Sequence, residues 1–318
     1  MPIGAGHRSL DRRALLASAA GAAAVAALGP RRLFAQAAAP AATAEVTRIN
    51  DRLSVIGGLG GNVVVFDGPG VVLVDGGRAG ATETLLEAVA GLVDPSRIAT
   101  LFNTHWHLDQ IGANAAIRRL GASITAHEKT RVRLATPYYL PDEDRYHPAE
   151  PPEAHPTTSF FDQGGLTLGG ETITYGYLLE AHTDGDIYVK FDTDNVIAVG
   201  DAIAPLRDPE LDWFGGGWLG GRVDSLELLL DISDGRTQFV PGYGPVVDRA
   251  YVEAEHELML ALWDIFFERV RAGESAADIH RSGVLDTLPR RFENAPKLLY
   301  DAHKGMWGHY NALSHDIV

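Results

Sequence analysis

Residues 103 to 110 read Asn-Thr-His-Trp-His-Leu-Asp-Gln and directly follow the apolar run Ile98 to Phe102, which predicts a β-strand. His105 and His107 are two residues apart, so on an extended segment their imidazoles point to the same side. Asp109, two residues further on, can bring a carboxylate toward the same point. The stretch therefore predicts a metal site at the edge of a β-sheet.

Three further motifs lie where predicted strands begin or end. They read Val-Leu-Val-Asp-Gly-Gly at 72 to 77, His-Thr-Asp-Gly-Asp at 182 to 186, and Gly-Asp-Ala at 200 to 202. They add a third imidazole, His182, and another carboxylate, Asp201, to the candidate ligands. Asp75 is better interpreted as a structural carboxylate behind the ligands than as a ligand.

The four motifs, taken in this order, resemble those of the metallo-β-lactamase superfamily. The resemblance covers about Val46 to Asp248. It implies an α+β fold, a four-layer αββα sandwich, in a single domain from 46 to 318 whose helical C-terminal tail begins at about 247. It also implies that His105, His107 and His182 hold a first metal ion, and that Asp109 and Asp201 belong to a second site.

The sequence departs from the family pattern at two positions, both in the second site. Gln110 replaces the last histidine of the first motif, and Tyr243, within Pro-Gly-Tyr-Gly-Pro at 241 to 245, replaces the last histidine of the family pattern, which follows the helix after the Gly-Asp motif. An amide oxygen and a phenol are poor substitutes for a neutral imidazole at zinc. We therefore expect one zinc ion, and a second site that is weak or empty.

A three-histidine zinc site with an open position predicts a hydrolase that acts on a small ester, lactone, thioester or amide through a metal-activated water. Asp109 is the candidate base or orienting group, and Tyr243 is a candidate donor to the developing oxyanion. A non-catalytic exported binding protein on the same fold is the alternative. Redox chemistry at iron is less favoured, because no flavin or electron-transfer domain accompanies the motifs.

The N-terminal segment predicts an export signal of the twin-arginine type. Arg12 and Arg13 precede an alanine-rich apolar stretch, and Ala35-Gln36-Ala37 supplies a small-x-small cleavage site. This assigns 1 to 37 to a signal peptide and 38 to 45 to a flexible mature end, with a periplasmic or secreted product. A membrane-anchoring helix is the alternative, but the apolar stretch is short and rich in alanine, so no stable anchor is expected.

Composition narrows the possible chemistry. The 318 residues include no cysteine, which excludes disulfides, thiolate metal sites and a cysteine nucleophile. The formal charge of -15 disfavours nucleic acid as a partner and leaves a small-molecule substrate as the expected one. The oligomeric state is left open.

Hydrophobic patterning predicts alternating strands and helices from residue 46 onward. The predicted strands are 53–56, 63–66, 71–74, 98–102, 123–126, one near 166, 173–179, 187–191, 196–199 and 238–240. The predicted helices are 82–92, 114–121, 223–233, 247–272 and about 295–313. The proline-rich segment 136 to 158 is expected to be a long irregular loop.

Other aromatic, imidazole and apolar side chains have less specific interpretations. Two aromatic groups are expected either to cover the site or to fasten loops to the sheet edge: Tyr138, Tyr139, Tyr146 and His147, and Trp213, Phe214 and Trp218. The histidines of the middle segment are expected at the surface or in loops: His127, His147 and His155. An apolar stripe in the tail predicts core or a dimer face: Leu258, Leu260, Leu262, Ile265 and Phe266.

Overall fold

The computed structural model describes residues 43–141 and 144–310. The predicted signal peptide, 1 to 37, lies outside these residues, as does most of the predicted flexible end, 38 to 45. The first strand begins at Glu45, one residue before the predicted start of the domain. None of the helices in the described ranges is both long enough and apolar enough to span a membrane.

The first sheet has seven strands in the order β1-β2-β3-β4-β5-β6-β9. The first four form an antiparallel meander, and β5, β6 and β9 join it in parallel. Their bounds are β1 Glu45–Arg48, β2 Leu53–Gly57, β3 Val63–Asp67, β4 Val71–Val74, β5 Ile98–Phe102, β6 Ser123–His127 and β9 Thr158–Phe160. The buried runs of β2 to β5 explain why the sequence predicts them well.

The second sheet has six strands in chain order, β10 to β15. All neighbours pair antiparallel except β13 and β14, which are parallel. The bounds are β10 Gln163–Leu168, β11 Glu171–Tyr177, β12 Ile187–Phe191, β13 Val196–Gly200, β14 Gln238–Pro241 and β15 Val247–Asp248. A separate hairpin joins β7 Tyr138–Leu140 to β8 Arg145–His147.

Seven α-helices flank the two sheets within the described residues. They are α1 Thr82–Ala90, α2 Asn114–Arg119, α3 Glu128–Ala135, α4 Leu219–Asp231, α5 Arg249–Arg271, α6 Ala276–Arg281 and α7 Ala295–Tyr310. Apolar residues of both sheets, such as Phe66 and Phe191, pack against each other in one core. Leu85 of α1 packs on the outer face of the first sheet, and Leu226 of α4 on that of the second. The predicted four-layer αββα sandwich is therefore confirmed.

The structure corrects the prediction for residues 136 to 158, which are not wholly irregular. They contain the β7–β8 hairpin and a turn of 3-10 helix at Pro152–Ala154. Helix α3, directly before them, is missing from the sequence prediction. It is mostly polar and buries only Thr130 and Leu134, so it lacks the apolar periodicity that identifies a helix.

The predicted helix at 247 to 272 begins two residues later than expected. Val247 and Asp248 form β15 and pair with β14. The Asp248 carboxylate then accepts a hydrogen bond from the Tyr251 backbone N–H, which caps the N-terminus of α5. Of the apolar stripe on this helix, Leu258, Leu262 and Phe266 lie in the core, whereas Leu260 is exposed and Ile265 is half-buried.

His127 is buried, which contradicts its predicted surface position. It ends β6 and stacks on Tyr177 with a centroid separation of 4.1 Å. Its Nε2 lies 2.8 Å from the carbonyl oxygen of Phe161. His147 and His155 are half-buried, and each is hydrogen-bonded to Glu150. These three histidines therefore have structural partners outside the motif cluster.

Candidate metal centre

Three imidazoles from distant parts of the chain meet at one point. His105 and His107 lie in the loop after β5 in the first sheet, and His182 lies in the loop before β12 in the second. The three ring centroids are 4.7 to 4.9 Å apart and the rings are nearly perpendicular to one another. The structure thus brings together the three histidines that the resemblance assigns to the first metal ion.

The ring atoms that face each other are suited to a metal ion. His182 Nε2 lies 3.0 Å from His107 Nδ1, and His105 Nε2 is buried with no hydrogen-bond partner among the described residues. Two imidazole lone pairs at that separation repel unless a proton or a cation lies between them. Three nitrogens around a tetrahedral zinc lie about 3.3 Å apart, given zinc–nitrogen bonds of 2.0 to 2.1 Å. The residues therefore fit a zinc ion.

The opposite nitrogen of two of these rings is held by an acceptor oxygen. His107 Nε2 donates to Asp212 Oδ2 at 3.0 Å, and His182 Nδ1 donates to the backbone carbonyl of Glu210 at 2.9 Å. A partner of this kind fixes the tautomer and aims the remaining nitrogen at the metal. Both partners come from the segment that follows β13.

The ring of His105 is held through a hydroxyl. Its Nδ1 lies 3.1 Å from Thr104 Oγ1, which donates to Asp75 Oδ2 at 2.8 Å and therefore accepts from the ring. The other Asp75 oxygen accepts from the Thr104 backbone N–H at 2.8 Å. These bonds hold Asp75 in a left-handed backbone conformation, φ 65°, which aspartate tolerates better than most non-glycine residues. Asp75 thus stands behind the ligands, as its sequence position suggested.

Burial and a neighbouring carboxylate set the proton affinities of two ligands in opposite directions. Burial lowers the pKa of His105 well below its usual value, and the nearby imidazoles act in the same direction. Burial also disfavours the cationic form of His107, but the hydrogen bond and charge of Asp212 outweigh it and raise the pKa of His107 to about 9. The raised pKa favours a second proton on His107, at the Nδ1 atom that faces His182 Nε2.

Gly200 brings the end of β13 against the first motif. Its backbone has φ 52°, and a Cβ atom there would lie 2.5 Å from Thr104 Oγ1. Only glycine combines this conformation with so close an approach. The contact places the next residue, Asp201, beside the histidines, with Asp201 Oδ2 3.6 Å from His182 Nε2.

The two carboxylates assigned to the second metal site are engaged by protein groups. Asp201 Oδ2 accepts a short hydrogen bond from the Arg207 guanidinium, and Asp109 Oδ2 accepts one from the Tyr243 hydroxyl. Burial, and then the charge of Asp109, raise the pKa of Tyr243, so its hydroxyl stays protonated and donates. Gln110 is fully buried beside them, and within the described part of the chain neither polar atom of its side-chain amide has a hydrogen-bond partner.

A cavity of about 560 Å³ opens above this centre, with His107, Asp109 and Asp201 among its lining residues. Its volume suits a small organic molecule. Of the two predicted aromatic groups, only Tyr138 and Trp213 line it. Tyr139 instead contacts Tyr146 and Phe214, and Trp218 stacks on His309, so these rings join loops to one another or to the tail.

Helix α7 contributes a wall of the cavity that the sequence interpretation missed. Lys297, Tyr300 and Asp301 line it, and Lys297 pairs with Asp301 at 2.6 Å. The helical periodicity of the tail predicts a helix but gives no information about which strand edge the helix covers. Asp212 and Arg207 were missed for the same reason, since no local motif marks them and tertiary folding alone brings them to the histidines.

A buried charge network attaches the helical tail to the segment 201 to 207. Arg222 of α4 donates to the Asp201 carbonyl at 3.0 Å, and Arg290 donates to the carbonyls of Ala204 and Arg207. Glu255 of α5, which is 3% exposed, lies 3.1 Å from Arg290 Nη1 and 3.8 Å from Arg222 Nη2. The network therefore fixes the loop that carries Asp201 and Arg207, on the side of the loop that faces the helical tail.

Comparison with known proteins agrees with the fold and the centre. Residues 56–254 match the sequence model of the metallo-beta-lactamase superfamily. This span is more than half of the chain, so the chain belongs to that superfamily. No relative is found among curated protein sequences.

Solved structures give the same fold. A metallo-beta-lactamase from Pontibacter korlensis is 19% identical with a TM-score of 0.56, over 69% of this chain and 99% of that one. DIM-1 metallo-beta-lactamase is 18% identical with a TM-score of 0.54, and TMB-1 is 17% identical with a TM-score of 0.55. Both cover 69% of this chain and 98% of their own. The family match ends within α5, so α6 and α7 lie beyond it.

Proposed function

We propose that this chain is a metal-dependent hydrolase that uses one zinc ion and cleaves a small ester, lactone, thioester or amide. The observation that carries the proposal is the convergence of the His105, His107 and His182 imidazoles beside a cavity of about 560 Å³, which His107 lines. The opposite nitrogen of each ring is already held by a separate partner, so the ligands are oriented in advance.

Zinc, when bound, supplies a Lewis acid for the substrate carbonyl and lowers the pKa of water to about 7. Asp109 lines the cavity, and its carboxylate accepts the proton of the attacking water and passes it to the leaving oxygen, sulfur or nitrogen. The bond from the carbonyl carbon to that leaving atom breaks. The Tyr243 hydroxyl orients Asp109, so the expected oxyanion role of Tyr243 requires this hydrogen bond to exchange for one to the substrate.

Zinc content and turnover test the proposal together. The purified protein should contain about one zinc per chain, and His107→Ala should lose most of it because two imidazoles hold zinc weakly. His155→Ala is the matched control, since that half-buried imidazole bonds to the Glu150 carbonyl and takes no part in the cluster. Two tightly held ions in the native protein would contradict the one-ion proposal.

A substrate panel should contain an ester, a lactone, a thioester, an amide and a β-lactam; the β-lactam is included because the Pontibacter and DIM-1 relatives are metallo-beta-lactamases. On any substrate found, Asp109→Asn should lower kcat by about 10²- to 10⁴-fold with bound zinc unchanged. Asp67→Asn, at an exposed ion pair with Arg97, should leave kcat unchanged. A zinc-loaded protein with no turnover on the panel would favour the binding-protein alternative.

We further propose that the protein is exported by the twin-arginine route, which delivers folded proteins. Arg12, Arg13 and the sequence Ala35-Gln36-Ala37 support this proposal. Replacing both arginines with lysine should retain the precursor in the cytoplasm, as fractionation and immunoblotting would reveal. Normal export of that variant would contradict the route, and a mature protein beginning well before Ala35 would contradict the cleavage site.

A further inference from the structure

Arg207 links the two carboxylates that lie beside the three-histidine centre. Its guanidinium makes a short ion pair with Asp201 Oδ2, and its Cζ lies 3.8 Å from the centroid of the Tyr243 ring. The Tyr243 hydroxyl in turn donates to Asp109 Oδ2. One protein cation therefore lies in a continuous series of contacts, Asp201 to Arg207 to Tyr243 to Asp109, along one side of the histidine cluster.

The position of Arg207 is fixed from two sides. Its guanidinium lies between a carboxylate and an aromatic face, an arrangement that suits a planar cation. Its backbone carbonyl accepts a hydrogen bond from Arg290, which pairs at 3.1 Å with the buried Glu255. The side chain of Arg207 is therefore only one-third exposed, and its main chain is held by an arginine whose carboxylate partner is buried.

Two carboxylates beside a zinc site would ordinarily attract another divalent cation. Asp109 and Asp201 both line the cavity, and Asp201 Oδ1 is buried with no hydrogen-bond partner in residues 43–141 and 144–310. The Arg207 guanidinium supplies positive charge at this place without using a coordination site. It repels a second divalent ion and removes one Asp201 oxygen from the available ligands.

We propose that the Arg207 guanidinium takes the electrostatic role of a second metal ion, so that this centre works with a single zinc. This inference rests on the proposed function only in that the three histidines hold the first ion. It attributes the weak or empty second site both to the positive charge of Arg207 and to the presence of Gln110 and Tyr243 where the family pattern has histidines. A lysine at position 207 would keep most of the effect, whereas a neutral side chain would not.

Titration with Zn²⁺, and separately with Co²⁺, tests this inference without a substrate. The variants are Arg207→Gln, which removes the charge, and Arg207→Lys, which keeps it. In Arg207→Gln a second ion should bind about 10- to 100-fold more tightly than any second ion in the native protein, since the repelling charge is gone. The Co²⁺ absorption spectrum should gain a second set of bands, and Arg207→Lys should resemble the native protein.

Arg52→Gln is the matched control. Arg52 also pairs with two carboxylates, Glu171 and Asp194, and lies 5.2 Å from the centroid of an aromatic ring, that of Phe66. Removing it should leave the ion count unchanged, because no imidazole cluster lies among its partners. Thermal unfolding should verify that each variant is folded. If Arg207→Gln does not fold, Arg207→Met, which also has a neutral side chain, takes its place.

Three results would overturn the inference. The native protein could bind two ions tightly, the neutral variants could remain at one ion, or Arg207→Lys could gain the second ion as readily as Arg207→Gln. The first would show that Arg207 does not exclude the ion, and the other two would show that its charge is not the cause. Failure of the proposed hydrolase is a separate result, because lack of turnover on every substrate leaves the ion counts unaffected.

Discussion

At the scale of single residues, the three histidines of the candidate centre can be predicted from sequence, but the groups that orient their rings cannot. His105 and His107 are identified by their spacing after a strand, and His182 by its place before one. Asp212 is 105 positions from the ring it holds, and the Glu210 group that matters is a backbone carbonyl, which every residue has. Only the tertiary fold distinguishes these two from any other polar residue in a loop.

Asp212→Asn should weaken zinc binding by about 10- to 100-fold. The amide oxygen can still accept the His107 N–H, but it lacks the negative charge that makes the imidazole a stronger electron-pair donor to the metal. Competition with a chromophoric chelator measures the affinity. Asp194→Asn is the control, since Asp194 pairs with Arg52 and has no histidine partner in the described structure. Equal affinities for the native and Asp212→Asn proteins would mean that Asp212 contributes only to the shape of the loop.

The raised pKa of His107 predicts proton release when zinc binds. In the metal-free protein His107 is protonated below its pKa of about 9, so zinc must displace that proton. The apparent zinc affinity should therefore rise about tenfold per pH unit from neutral pH until about pH 9, and this contribution should then level off. Chelator competition at several pH values measures the slope. A flat profile from neutral pH to pH 9 would contradict the protonated state of His107.

At the scale of elements, strands β2 to β5 follow directly from the sequence, whereas β1, β9 and β15 are missing from the prediction and three other features depend on long-range contacts. Strands β2 to β5 are runs of buried apolar residues. Helix α4 begins at Leu219, four residues before the predicted start. Gly220 and Gly221 lie in its first turn although glycine has a low helix propensity. A Cβ at Gly221 would lie 2.3 Å from the Leu179 carbonyl oxygen, so close packing explains this glycine. Helix α3 and the β7–β8 hairpin likewise owe their stability to neighbours rather than to local pattern.

Glu255 of α5 should be important for the stability of the tail. Glu255→Ala leaves the guanidinium of Arg222, which is fully buried, without its carboxylate partner, and should lower the free energy of unfolding by about 3 to 5 kcal/mol. Glu253→Ala, on the same helix, removes an exposed pair with Arg249 and should cost at most about 1 kcal/mol. Urea unfolding measures both. Similar values for the two variants would show that the buried pair contributes no more than the exposed one.

At the scale of the whole molecule, the candidate metal centre connects the two halves of the sandwich. His105 and His107 extend from the first sheet, while His182 and Asp201 extend from the second. The family match spans both sheets but ends within α5, and α7 beyond it supplies part of the cavity wall. The centre therefore exists only when both sheets have packed, and the tail adds to the cavity a wall from outside the matched region.

This arrangement predicts that zinc stabilises the entire domain. An ion that binds the folded chain at a concentration 1,000-fold above its Kd adds about 4 kcal/mol to the free energy of unfolding, provided that the unfolded chain does not bind it. For a domain of about 270 residues, with an unfolding entropy of about 2.1 cal/mol/K per residue, that corresponds to a fall in Tm of about 7 °C when a chelator removes the metal. Scanning calorimetry with and without chelator measures the shift. His182→Ala, which removes the one imidazole that the second sheet contributes to the cluster, should abolish the Tm shift, whereas His155→Ala should preserve the shift. A chelator shift in His182→Ala as large as in the native protein would mean that the stabilising ion binds elsewhere, and that the three histidines do not join the two sheets through a metal.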